Sequence, residues 1–193
     1  MPQLGNSTAT RIRPYRARLG LGTFPIAYFQ ESSAVAGNAS SDVIKVGDVV
    51  QFDVNVATAA HRVIRASTMA NVPNLVSTAI IGIAANTPAS TVTATSPGPV
   101  GGVAVYLATP GVEFLFPTKL AGASHVSSLA GAGRRTALAY DSTDNIFYAD
   151  PGNSTAGDAT IIITEVIDAG TTNGLVVGRF ISTNTARFVS AAF

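Results

Sequence analysis

Cysteine is absent from this 193-residue chain, and histidine occurs only as His61 and His125. Without thiols there are no disulfides and no thiolate chemistry, so packing alone must hold the fold. Two histidines do not supply the usual His/Cys ligands of a metal site, and a serine hydrolase would need one of them as its base. No G-x-S-x-G elbow is present, and Ser124 beside His125 in "GASHV" is adjacency in sequence, not a nucleophile and base. The reading is therefore of a protein with no catalytic residues, no metal site and no cofactor. Charge is also scarce: charged residues make up 12% of the chain, against ~25% in an average soluble domain. Long apolar runs are missing as well. The best, "TIIITEVI" from Thr160, meets Glu165 well short of the ~20 residues that span a bilayer, so no membrane span is expected.

What is present is apolar and small-polar. Hydrophobic residues make up 47% of the chain, and its polarity comes from Ser, Thr, Asn and Gly rather than from mixed charge. That composition suits a surface covered by neighbouring molecules, because a bare surface normally relies on interspersed charges for solubility.

The charges that exist are unevenly placed. Residues 1–22 hold Arg11, Arg13, Arg16 and Arg18 with no acid, while the remainder holds eight basic and eleven acidic residues. The chain thus reads as a +4 arm on a −3 body. Pro2, Gly5, Pro14, Gly20 and Gly22 deny the arm a helix, so it is expected to be extended. Basic residues ahead of the apolar "LGLGTFPIAYF" imitate a secretory signal, but Gly20, Gly22 and Pro25 break the helix such a segment prefers.

From residue 23 onward, short β-prone runs alternate with turn residues, and no amphipathic helix of ten residues is visible. The runs are "PIAYFQ", "VVQFDV", "HRVIRAS", "AIIGIAA", "VAVYLA", "VEFLFP", "TALAYD", "IFYAD", "TIIITEVI", "LVVGRFIS" and "RFVSA". They predict an all-β domain over 23–193, barrel-like or sandwich-like, with two possible sub-lobes at about 23–120 and 121–193. "VAVYLATPGVEFLFP" reads as a hairpin, with Pro110 and Gly111 meeting the demands of a type II turn. "YDSTDNIFY" reads as another with an Asp-rich loop. Asp141, Asp144 and Asp150 flank it as turn formers, since "DSTDN" lacks the ligand pattern of a calcium loop. The glycines of "LAGAGRR" fit neither a P-loop nor a dinucleotide fingerprint. Loops at 31–43, 86–102 and 118–134 are long and expected to dock against a neighbour.

The arm is the one electrostatic signal. Its arginines could neutralise nucleic-acid phosphates, but the acidic body would repel that polymer, so nucleic acid is disfavoured. Guanidinium groups forking onto carboxylates of a protein suit both halves of the chain better. Arg11, Arg13, Tyr15, Arg16 and Arg18 are the candidate binding residues, with Phe24, Tyr28 and Phe29 as candidate apolar anchors.

The order "VIKVGDVVQFDV", "HRVIRAS", "AIIGIAAN", "VAVYLATPGVEFLFPT" resembles that of the capsid decoration, or cement, proteins of tailed bacteriophages. The ending "RRTALAYDSTDNIFYAD" and "TIIITEVIDAGTTNGLVVGRFIS" is similar too, with a turn at Thr172, Asn173 and Gly174 feeding a last buried strand. The resemblance covers residues 43 to 188 and carries no catalytic signature. It implies a compact β-barrel or β-tulip-like unit, a non-enzymatic virion protein on the outer capsid surface, bound to the major capsid protein and to copies of itself, a trimer being favoured over a dimer. An N-terminal extension that reaches across capsid subunits would correspond to residues 1–22. The competing reading is a glycan- or host-binding fibre or adhesin module, which would need aromatic platforms in exposed loops. The stretches 31–43 and 86–102 contain no Trp, Tyr or Phe.

Overall fold

A computed structural model describes residues 11–17, 23–31, 44–52, 62–66, 80–87, 102–119, 131–153 and 159–181. Arg18, His61, His125, the run "RFVSA" and most of the three long loops lie outside these residues. The fold is all-β, as expected, with no α-helix among the described residues. In chain order the strands are β1 (Arg13–Ala17), β2 (Ile26–Glu31), β3 (Val49–Phe52), β4 (Arg62–Arg65), β5 (Ile80–Ala84), β6 (Val103–Leu107), β7 (Val112–Pro117), β8 (Arg135–Asp141), β9 (Ile146–Asp150), β10 (Ile161–Val166) and β11 (Leu175–Phe180). Strands β2 to β11 coincide with runs legible in the sequence. Strand β1 is the arm.

Two sheets share the chain. One runs β2-β4-β3-β5-β6, and its pairings return on themselves because β6 also pairs with β2. The β2–β4 link is parallel, through Gln30 with Arg62 and Glu31 with Val63, and the others are antiparallel. The second sheet runs β1-β7-β11-β10-β8-β9. A single parallel bridge between Thr118 and Ala149 brings β9 back beside the end of β7.

Alternation of side chains across the pleat decides what each face buries. Phe29, Val50, Val63, Val103 and Val105 form one core inside the first sheet, with Ile44. Val49, Ile80 and Ile83 from that sheet meet Phe114, Phe116, Leu138, Phe147, Ile161 and Phe180 from the second, giving a sandwich-like core between the layers. Strand β5, "IIGIA", is buried at every position because it serves both cores. At Gly82 a Cβ would lie 1.9 Å from the Tyr106 carbonyl oxygen, so β5 and β6 approach closely only without a side chain there. Phe114, Phe116 and Phe180 meet edge to face, with centroids 5.7 to 6.3 Å apart. Each contributes roughly 2–3 kcal/mol by leaving water.

One sequence expectation is corrected here. "VAVYLATPGVEFLFP" is not a hairpin: β6 pairs with β2 and β5, while β7 pairs with β1 and β11. The turn chemistry is as expected, since Gly111 has φ +91° and the Val112 amide donates to the Thr109 carbonyl at 3.1 Å. A turn, however, sets only the local reversal. Both edges of β6 are already occupied within the first sheet, so the chain crosses here into the second. Sheet membership therefore changes at Pro110–Gly111, ahead of the division expected near residue 120. "YDSTDNIFY" does form a hairpin, with Ala137–Asp141 in register with Ile146–Asp150. Asp141 Oδ1 caps its loop by accepting from the Thr143 and Asp144 amides at 2.8 and 3.3 Å.

Candidate functional site

The arm is a strand, and it lies on its own body. Arg13 pairs with Leu115, Pro14 with Phe114, Arg16 with Glu113 and Ala17 with Val112, with a bulge at Tyr15. Pro14 lacks an amide proton, so the edge strand offers an interrupted row of donors; such interruptions and bulges protect an edge from further pairing.

Three residues of the arm, Arg11, Ile12 and Arg16, are made for this seat. Ile12 is 1% exposed and joins the core shared by the two sheets. Arg16 ion-pairs with Glu113, which is 2% exposed on β7, and reaches Glu165 on β10 at 3.0 Å. The hydrogen bond that Arg16 donates to Glu113 is the largest cause raising the Arg16 pKa above its ordinary value. Arg11 reaches Asp48 Oδ1 at 3.3 Å and donates to the Val46 carbonyl at 3.2 Å.

Asp48 ends a turn in which Gly47, at φ +85°, takes a conformation that L side chains resist. A Cβ on Gly47 would lie 2.6 Å from Arg11 Cβ and 2.9 Å from the Ile12 carbonyl oxygen, so the arm passes directly over it. Asp48 is 1% exposed, and its Oδ2 accepts from the Lys45 amide at 2.8 Å. Burial pushes its pKa up to about 6, against the Lys45 amide bond and the positive charges of Arg65, Arg11 and Lys45.

Two other residues of the arm are open to solvent. Arg13 is exposed and Tyr15 is 43% exposed, with the Arg16 guanidinium 5.3 Å from the Tyr15 ring centroid. Among the described residues, Ile26, Tyr28 and Val46 are also exposed apolar side chains, and Val46 borders the arm through Arg11.

Of the sequence-derived anchors, Tyr28 is accessible, whereas Phe29 is a correction. Phe29 is buried in the first sheet's own core and stacks edge to face on Phe52 at 5.9 Å. Neighbours on a strand face opposite ways, so Tyr28 and Phe29 cannot both be surface anchors. Phe24 is half-buried and packs edge-on against Tyr106 at 6.0 Å. At the far end, Asn173 has φ +52° in the turn with Thr172 and Gly174, and the Gly174 carbonyl accepts from both the amide and the hydroxyl of Thr118 at 2.9 Å. These are structural roles.

Sequence reasoning did not find Asp48 and Glu113 as the arm's partners. The signal was a lone acid inside the apolar "VEFLFP", since a buried carboxylate demands a cation. No family model, curated protein or solved structure matches the chain.

Proposed function

We propose that the chain is a non-enzymatic virion structural protein that decorates the outer surface of an icosahedral phage capsid. It links neighbouring subunits of the major capsid protein and associates with copies of itself. The observation that carries this reading is a division of labour within the arm. Arg11, Ile12 and Arg16 fasten it to the body, while Arg13 and Tyr15 stay exposed. Arginine and tyrosine are the residues that dominate protein interfaces, and an ordered strand presents them at lower entropic cost than a loose tail.

The composition supports the same reading. A chain with 12% charged residues that also exposes Tyr15, Ile26, Tyr28 and Val46 fits a surface that neighbours cover. With Arg11 and Arg16 neutralised by carboxylates, the described arm keeps only Arg13 for a phosphate polymer, which weakens the nucleic-acid reading.

Co-sedimentation of the full chain with shells assembled from the major capsid protein tests the proposal. Saturable binding to shells and none to duplex DNA is expected. Absence of binding to shells would overturn it.

A further inference from the structure

The seat of the arm has the features of a receptor site. It contains two buried carboxylates, Asp48 and Glu113, a slot in the core for Ile12, a glycine shelf at Gly47 and a strand edge on β7. All of these are distant in sequence from the strand that fills them. The arm's ion pairs span separations of 37 residues for Arg11 with Asp48 and 97 for Arg16 with Glu113. Its covalent connection to β2 runs through residues 18–25, "RLGLGTFP", which contain Gly20 and Gly22.

Because arm and seat are complementary in charge and shape, the same contacts form whether the arm comes from the same chain or from another copy. We propose that the seat accepts residues 11–17 of a second copy, so that neighbouring copies are joined by exchanged arms. Exchange of an identical element is a low-cost way to link copies, since it creates the interface from contacts the monomer already has. The occupant is specified by charge: it must present a cation opposite Glu113, a second opposite Asp48 and an apolar side chain between them. "RIRPYR" does so in every copy.

In an isolated molecule the tethered arm competes at an effective concentration on the order of millimolar, so exchange becomes prominent where copies are crowded to that level. The inference deepens the reading of the chain as a self-associating shell protein. Its test uses the free protein, so failure to exchange and failure to bind shells are separate results.

Charge reversal provides that test. Arg16→Glu sets an acid against Glu113 and Glu165, and Glu113→Arg sets a cation against Arg16, so each variant disfavours its own arm. Mixed one to one, each arm finds a matching seat only on the other chain. Native mass spectrometry is expected to show a heterodimer in the mixture at least tenfold more abundant than homodimers of either variant alone. The double variant R16E/E113R should remain monomeric, because its own arm fits again.

Should either variant fail to fold, cysteines offer a route with native charges. Ala17 and Val112 are register partners in an antiparallel pair, a Cα separation of ~4.5–5.5 Å that a disulfide can bridge. The native chain has no cysteine, so Ala17→Cys and Val112→Cys chains concentrated together and oxidised should cross-link at the 17–112 pair. The double variant A17C/V112C should close within one chain. A charge-swapped mixture that stays monomeric while both chains are folded, or a cysteine mixture without the 17–112 linkage, would overturn arm exchange.

Discussion

Arg16 on β1 and Glu113 on β7 stand opposite each other in antiparallel register and are ion-paired, the acid buried and the guanidinium about one-third exposed. Glu113 lies between Val112 and Phe114 on a strand that is buried throughout. A charge in that position is tolerated because the arm covers it.

Arg16→Ala should therefore destabilise the whole fold, not just loosen a tail. Removing one partner of a buried pair costs ~3–5 kcal/mol; Arg16 is partly solvated, so about 2 kcal/mol is expected. Urea denaturation at pH 7 measures it. Adding Glu113→Gln should recover part of the loss, because the uncompensated charge is gone. Gly47→Ala should dislodge the arm by steric clash alone, with all the ion-pairing residues still in the sequence.

Asp48 gives the arm's other contact a pH signature. Its native pKa of about 6 lies above the ordinary aspartate value of 3.8, so the folded state holds this proton more tightly than the unfolded chain. In that window the unfolded state binds fewer protons, and stability falls as pH rises from about 4 to about 6, then levels off. That difference corresponds to about 3 kcal/mol. Thermal unfolding of the wild type against Asp48→Asn across this range should show the slope only in the wild type.

Asp141 has the opposite sign. The hydrogen bond from Lys119 is the largest cause holding its pKa below the ordinary value. The stability it adds is present above the unfolded pKa, near 4, and is lost as pH falls through the lower folded value. Lys119→Met should remove that acid-side loss at a cost under about 1 kcal/mol at neutral pH, since the pair is close to the surface. The same unfolding series, extended below pH 4, reads it.

The two sheets are also tied by polar groups. Arg65 on β4 donates to the Tyr140 hydroxyl on β8 at 2.9 Å, and its guanidinium lies 4.6 Å from the Tyr140 ring centroid. The Tyr140 hydroxyl in turn donates to Asn145 Oδ1 at 3.0 Å. Tyr140→Phe keeps the ring and deletes both hydrogen bonds. A loss of about 1.5–3 kcal/mol by urea denaturation is expected.

Strand positions were legible because each run carries its own signal: β-branched and aromatic residues bounded by Gly, Pro, Asn or Asp. Partner choice was not. Pro110–Gly111 announces a reversal, but whether β6 and β7 then pair depends on which other strands occupy their edges. Those strands come from remote parts of the chain, such as β2 and the arm. The same limit applied to the site. "RIRPYR" was visible as an extended binding arm, yet the carboxylates it meets, Asp48, Glu113 and Glu165, are brought to it only by the fold. Phe29 looked like a surface anchor because it stands beside Tyr28, and the sequence does not say which of two adjacent aromatics faces inward.

On the proposed function, a strand fastened through Arg11, Ile12 and Arg16 presents its exposed Arg13 and Tyr15 to another protein. The most direct test is a titration of cognate shells with wild type and with the double variant Arg13→Glu, Tyr15→Ser, whose changes fall on exposed residues and replace no partner of the ion pairs. Binding about tenfold weaker or more, with unfolding stability unchanged, is the expected result. Equal occupancy of the shells by both proteins would contradict the claim.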